Sequence, residues 1–370
     1  MATIETDLLA ELNAIRKALG AADKVRATPR YAIIDRAFTR IERSLTRPLR
    51  IGVLGEENSG KSLLINYLLK HQILPSGGFA GGSTAILVRH APEPSVHACR
   101  PDGIRNRLTS KAFGRLIKPE TRRTVSTPSV IYDGLQSRES PARPAPERGN
   151  LVFAAPKKAD ALSRLIEVGL PLEVLKQVEM IELRALPEAQ PASPVTRAFR
   201  SVDLTIWCTL ATQAWKETEV LAWKRVPSVY RRGSLMLVTY KDAIRHEKDE
   251  AKITARLRHA TTALFGDVAL ISLRDAVQSL IAADAQEAGR LRVESNVEHV
   301  ERAILAMIHN WQIRRLQKVG RLLHLIAAKL SRSGQGRNVV PNRELAFRLQ
   351  RLALAFLRAS PSISFTGRAA

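Results

Sequence analysis

Apolar residues return at helical spacing over residues 4–20, at Ile4, Leu8, Leu9, Leu12, Ile15 and Leu19, and Gly20 closes the run. A second helix is expected over 31–45, with Ile33, Ile34, Ala37 and Ile41 on one face and Pro48 at its end. The period then changes. Ile51, Val53 and Leu54 form a short apolar run that leads straight into Gly55, which reads as a strand. A helix over 61–71 and a strand over 85–89 follow. From 125 to 150 the pattern dissolves into Pro, Ser and Arg, ending in SRESPARPAPERGN, and reads as a flexible insertion.

Ordered pattern resumes over 159–168 and 178–183. Strands are then expected at 202–209, 235–239 and 268–272, with helices at 214–225 and 248–265 between them. Strands alternating with helices imply an α/β fold with a mainly parallel sheet and helices on both faces. From 274 onward the pattern is helical, with a break at 331–341 and a last helix over 342–358. This predicts N-terminal helices (1–48), a central α/β domain (49–290) and a C-terminal helical region (291–370).

The chemistry begins in the loop after the first strand. Gly55-Glu56-Glu57-Asn58-Ser59-Gly60-Lys61-Ser62 fits GxxxxGK followed by Ser or Thr, directly after a strand and at the start of a helix. Such a loop turns its backbone N–H groups inward around a phosphate, and the helix N-terminus adds a positive dipole end. Gly55, Asn58, Ser59 and Gly60 form the cradle. Lys61 reaches the β- and γ-phosphates, and the Ser62 hydroxyl ligates Mg²⁺. The motif alone does not choose between ATP and GTP.

The stretch GEENSGKSLLINYLLKHQILPSGGFAGGSTAILVRH resembles the opening of a bacterial dynamin-like GTPase domain. SVDLTIWCTLATQAWKETEVLAW resembles a later strand and helix of that family, LMLVTYKDAI its base-recognition strand, and VALISLRDA its final strand. The resemblance covers roughly residues 45–290. It implies a P-loop GTPase fold flanked by an N- and C-terminal helical bundle, with GTP and Mg²⁺ as ligands. Thr84 then stands where the first-switch threonine ligates Mg²⁺ and senses the γ-phosphate. Asp242 stands where an aspartate pairs with guanine, since a carboxylate accepts from both guanine edge donors. Ser272 stands where the family contacts the base through its backbone.

Three positions depart from the family. Its base-recognition motif is Thr or Asn, then Lys-x-Asp, whereas this chain reads Thr239-Tyr240-Lys241-Asp242, with the lysine one place late. Its second switch is Asp-x-Pro-Gly. Aligning on Pro187 puts Ala185 at the aspartate, and aligning on the strand puts Glu182 there. Neither register supplies both aspartate and glycine, so weakened Mg²⁺ organisation is expected. Eukaryotic dynamins use a glutamine and a serine inside the phosphate loop, and the corresponding residues here are Glu57 and Asn58. Glu57 is the candidate for orienting the attacking water, although its charge opposes a γ-phosphate. Slow hydrolysis is therefore expected.

Charge adds a partner. The chain of 370 residues carries 58 Lys and Arg against 35 Asp and Glu, a net charge of +23. From Arg302 onward there are thirteen Lys and Arg and one acid, Glu344. Apolar residues at helical spacing between them, among them Ile304, Ile308, Leu316, Val319 and Leu323, read as the core of a bundle packed on the N-terminal helices, with a basic exterior. Such an exterior suits an acidic membrane surface. Nucleic acid is the competing partner, but aromatic residues make up only 5% of the chain, which weakly supports base stacking in the tail. The resemblance further implies self-association across the nucleotide face.

No uncharged apolar run approaches the ~18–20 residues of a membrane span. The N-terminus lacks the basic segment and apolar core of a secretory signal. With two cysteines, Cys99 and Cys208, the reading is a reducing cytoplasmic compartment with peripheral membrane contact. The alternatives are a non-hydrolysing, nucleotide-gated adaptor and an RNA- or ribosome-associated P-loop NTPase.

Overall fold

A computed structural model describes residues 2–21, 29–71, 73–74, 85–99, 104–108, 165–183, 199–231, 233–244, 246–331 and 340–358. The insertion expected at 125–150 lies outside the described residues, as do Thr84, Ala185 and Pro187. The chain divides into two compact units, Pro48–Met307 and a second made of Met1–Arg47 with Ile308–Ala370.

The larger unit is built on a nine-stranded sheet. Its strands are β1 (Leu49–Gly55), β2 (Ala85–His90), β3 (Ser95–Cys99), β4 (Arg105–Arg107), β5 (Leu165–Leu170), β6 (Val178–Glu182), β7 (Leu204–Leu210), β8 (Leu235–Thr239) and β9 (Asp267–Leu270). They lie in the order β4-β3-β5-β2-β6-β1-β7-β8-β9. From β6 to β9 every pairing is parallel. β2 runs antiparallel to β6 and parallel to β5, and β3 is antiparallel to both its neighbours. The sheet is thus mainly parallel, as the pattern predicts, with an antiparallel margin that it did not.

The helices that matter for the site are α3 (Lys61–Leu69), α4 (Glu217–Arg225), α5 (Ser228–Arg231), α6 (Glu247–Thr261), α7 (Leu273–Ile281) and α8 (Ala285–Glu294). Strand β1 is the pivot. β6 lies on one side and β7 on the other, both parallel to it, so the carboxyl ends of β6, β1, β7 and β8 open on the same edge. In open α/β sheets that edge is where ligands bind. β1 is buried at all but one position, because both of its faces are covered. Beneath β7 and β8 an aromatic cluster fixes the sheet. Trp207 meets Trp223 edge-on with centroids 5.5 Å apart, and Trp223 stacks on Phe265 at 4.3 Å.

The second unit is a helical bundle of α1 (Ala2–Ala21), α2 (Pro29–Thr46), the later part of α9 (Val297–Ser331) and α10 (Val340–Arg358). Its core joins Leu12, Ile15 and Leu19 of α1 and Ile34, Phe38 and Ile41 of α2 to Leu316, Val319, Leu323, Ile326 and Leu330 of α9 and to Leu349 and Leu352 of α10. The apolar face of the basic tail is therefore core. Arg16 ties α1 to α2 through Asp35 and Glu42 at 2.8 and 3.0 Å, and Arg348 ties α10 to Glu11 at 2.8 Å. Arg314, Lys318 and Arg321 are exposed on α9, and Arg351 is exposed on α10. No helix among the described residues is long and apolar enough to cross a membrane.

Candidate phosphate-binding site

The loop Glu56–Gly60 leaves β1 and enters α3 as the spacing predicts. Two glycines make its path possible. Gly55 has φ 140°, and a Cβ there would lie 2.2 Å from the Cys208 carbonyl oxygen. Gly60 has φ 83°, and a Cβ there would lie 2.7 Å from Leu273. Neither position admits a side chain without displacing backbone or core. Asn58, at φ 61°, supplies a third left-handed residue, a conformation that asparagine tolerates better than most.

The rest of the loop is held from the neighbouring strand ends. The Thr239 hydroxyl, at the end of β8, lies 3.1 Å from the carbonyls of Ser59 and Thr209. The Ser59 hydroxyl donates to the Glu56 carbonyl at 2.8 Å. Glu56 itself turns outward, accepting from the Lys216 ammonium at 3.0 Å and the Thr218 hydroxyl at 2.9 Å. The Lys216 hydrogen bond, with help from Thr218, holds the Glu56 carboxyl below the usual range against its partial desolvation. It is therefore ionised at neutral pH, and its charge is neutralised locally. Glu57 and Asn58 are exposed at the tip.

Lys61 is 4% exposed. Its ammonium donates to the Gly55 carbonyl at 3.0 Å and to the Glu56 carbonyl, and lies 3.4 Å from the Ser59 hydroxyl. A buried cation needs such partners, and here the loop provides them in the place where a phosphate group would be cradled. Ser62 is also buried, and its hydroxyl donates to Glu182 Oε2 at 2.8 Å. Glu182 is the last residue of β6, paired with Val53 across the β1–β6 ladder, and only 2% exposed.

Of the two registers for the second switch, the strand register falls on described residues, and it brings a carboxylate to the hydroxyl that the motif assigns to Mg²⁺. A hard oxygen pair of this kind suits Mg²⁺, which prefers one or two protein oxygens with phosphate and water completing its shell. The donor set and the glycine cradle both fit a Mg²⁺-nucleoside triphosphate. Sequence offers Glu182 only as one of two registers for the second-switch aspartate, since the family motif asks for an aspartate followed by glycine.

Asn66 of α3 supports the segment that leaves the site. Its Oδ1 accepts from the amides of Ile73 and Leu74 at 2.9 and 2.8 Å, and its Nδ2 donates to the Leu74 carbonyl at 2.7 Å. Asn66→Ala leaves two buried amides unpaired. It is expected to cost about 1–3 kcal/mol of stability, measured as a lower denaturant midpoint with an unchanged slope. An unshifted midpoint would show that the clamp is not structural.

The other candidates are spread along the same strand ends. Asp242 lies exposed in the turn Lys241–Ala243 that follows β8. Ser272 is buried at the N-cap of α7. Its amide donates to Ser295 O at 3.0 Å, and its hydroxyl accepts from the Asp275 amide at 3.3 Å. Cys208 lies opposite Gly55 on β7, and burial pushes its thiol up to about 12, which keeps it neutral at physiological pH.

No family profile and no curated protein matches this sequence. Solved structures do. A chain from an oligomerised bacterial dynamin pair described as sensing and tethering membranes aligns over 95% of this chain and 59% of its own length, with TM-score 0.50 and 15% identity. A second structure of such a pair gives 94%, 58%, 0.49 and 14%. Era in complex with MgGDPNP and a segment of 16S ribosomal RNA aligns over 71% of this chain and 57% of its own, with TM-score 0.33 and 10% identity. The chain therefore spans less than two thirds of the dynamin chains it resembles, and it shares the fold of the bacterial dynamin chain over that length.

Proposed function

We propose that this chain binds GTP with Mg²⁺ at the Gly55–Ser62 loop and hydrolyses it slowly, with its basic helical unit touching an acidic membrane surface. One observation carries the reading. A glycine cradle, a buried lysine and a serine–carboxylate pair converge where β1 and β6 end. Lys61 neutralises the β- and γ-phosphates, and backbone amides of the loop take the remaining oxygens. Ser62 and Glu182 hold the metal, Ser62 directly and Glu182 through the shell. When bound, Mg²⁺ neutralises charge on the transferred phosphoryl group. Thr84 is proposed as the second protein oxygen for the metal and the sensor of the γ-phosphate. Ser272, which follows β9, is proposed to contact the base through its backbone.

Slow turnover follows from what the loop offers the attacking water. Glu57 is the acceptor at its tip, and its negative charge opposes the phosphate it must approach. Turnover on the order of one per minute or slower is expected from dilute protein. Self-association across the nucleotide face, on a surface that concentrates the protein, raises it. The attraction comes from Arg314, Lys318, Arg321 and Arg351, all exposed and unopposed by nearby acids in sequence. It weakens with salt, since exposed charges are screened over ~8–10 Å at physiological ionic strength.

The test is GTP turnover against protein concentration, with neutral and acidic liposomes, at low and high salt. Stimulation by acidic liposomes at low salt supports the membrane reading. Fast turnover by dilute protein alone removes the slow-hydrolysis claim. Tight binding with no turnover under any condition favours the nucleotide-gated adaptor.

Guanine is preferred over adenine because Asp242 accepts from two guanine donors that adenine does not present together. Competition against labelled GTP should favour unlabelled GTP over ATP by about 2–4 kcal/mol, the usual cost of leaving polar groups unpaired. Equal competition removes the guanine assignment.

A further inference from the structure

The residue that departs most from the base-recognition pattern also takes an unusual backbone conformation. After Thr239 ends β8, Tyr240 enters the left-handed region at φ 60° and ψ 41°. An aromatic residue seldom adopts that conformation, and it persists only where its surroundings hold it. Here they do. Thr239 is bonded to the phosphate loop on one side, and on the other the Lys241 amide donates to Ile271 O at 3.2 Å and the Ala243 amide to Tyr240 O at 3.0 Å.

The effect is to lay the Tyr240 side chain toward the cradle. Its hydroxyl donates to Asn58 O of the phosphate loop at 3.2 Å, yet the residue remains 41% exposed. A large ring thus bridges the end of β8 and the loop tip without being buried by the protein. Lys241 does not share that place. Its ammonium pairs with Glu250 at 3.0 Å and donates to Glu294 O at 3.1 Å. Asp242, exposed two residues beyond the ring, has no partner among the described residues.

We propose that Tyr240 is the base platform of this site, stacking its ring on the purine whose phosphates lie in the Gly55–Ser62 loop, while Asp242 reads the edge of the same base. The proposal rests on the nucleotide-binding reading above. A phenol ring offers an apolar face and a polar tip; the tip is spent on Asn58, which fixes the ring beside the loop. Every base has a π-face, so stacking is tolerant of base identity. Tyr240 therefore supplies affinity for either purine, and Asp242 supplies the choice between them.

The experiment measures GTP, ATP and inorganic tripolyphosphate binding by calorimetry on the full chain, on Tyr240→Phe and on Tyr240→Ala. Tyr240→Phe keeps the ring and is expected to bind GTP within about threefold of the parent. Tyr240→Ala is expected to lose GTP and ATP affinity about tenfold to a hundredfold while binding tripolyphosphate as the parent does. Loss of tripolyphosphate binding in step with GTP would make Tyr240 a mere support of the loop and overturn the proposal. So would unchanged GTP binding by Tyr240→Ala. A parent that binds tripolyphosphate but gains nothing from the base overturns the platform and leaves the phosphate cradle standing. A parent that binds neither overturns the nucleotide reading as well.

Discussion

Lys61→Ala is expected to lower GTP affinity by a factor on the order of a thousand, the largest effect of any single change in this chain. The lysine is the one buried cation of the cradle among the described residues, and the geometry around it is specific. Its ammonium is held by the Gly55 and Glu56 carbonyls, and two acidic residues, Glu56 and Glu57, lie in the same loop. Without Lys61, the triphosphate would meet those carbonyls and the Glu57 carboxylate with only backbone amides and the bound Mg²⁺ to oppose its charge. Charge-assisted hydrogen bonds are roughly twice as strong as neutral ones, and here one cation serves two phosphates. Calorimetry of GTP and GDP on the variant checks this, with a thermal melt to show that the chain still folds. Parent-like affinity in a folded variant would mean that the loop is not a phosphate cradle.

The phosphate loop was legible because it is local. Eight consecutive residues carry the turn, the dipole end and the cation, and a strand and a helix flank them in sequence as in space. The bundle was legible for a similar reason, since the apolar spacing of Leu316, Val319, Leu323 and Ile326 declares one face of a helix and the structure buries that face. What failed to show was non-local or weakly patterned. β4 is three exposed residues, Arg105–Arg107, with no apolar signal, and β3 is recognisable by its pairing with β4 and β5. The helix read from residue 214 begins at Glu217, because Trp215 takes φ 65° and breaks the run. Tyr240 looked like a misplaced lysine in sequence; its hydrogen bond to Asn58 exists only once β8 lies near β1, with β7 between them.

Glu182 is the clearest case of a candidate site residue hidden by register. In sequence it competed with Ala185 for one motif position. The β1–β6 ladder pairs Glu182 with Val53, in the strand that runs directly into the Gly55–Ser62 loop. Its buried carboxylate then accepts from Ser62 at 2.8 Å.

Glu182→Gln keeps the shape and an acceptor for Ser62 but removes the charge that makes the site attractive to a divalent cation. The Mg²⁺ concentration for half-maximal enhancement of GTP binding is expected to rise about tenfold to a hundredfold, the usual penalty for losing a carboxylate that supports a metal. GTP affinity measured without Mg²⁺ should change little, or improve slightly as a negative charge leaves the phosphate site. Glu182→Asp keeps the charge but shortens the reach, so Mg²⁺ dependence should be largely retained. The measurement is GTP affinity titrated with Mg²⁺ for the parent and both variants, which needs no turnover. If Glu182→Gln shows the parent's Mg²⁺ dependence, the carboxylate is only a buried partner for Ser62. If it shows the loss and Glu182→Asp does not, charge rather than the hydrogen bond to Ser62 recruits the metal, and the missing aspartate of the second switch has been replaced from the end of β6.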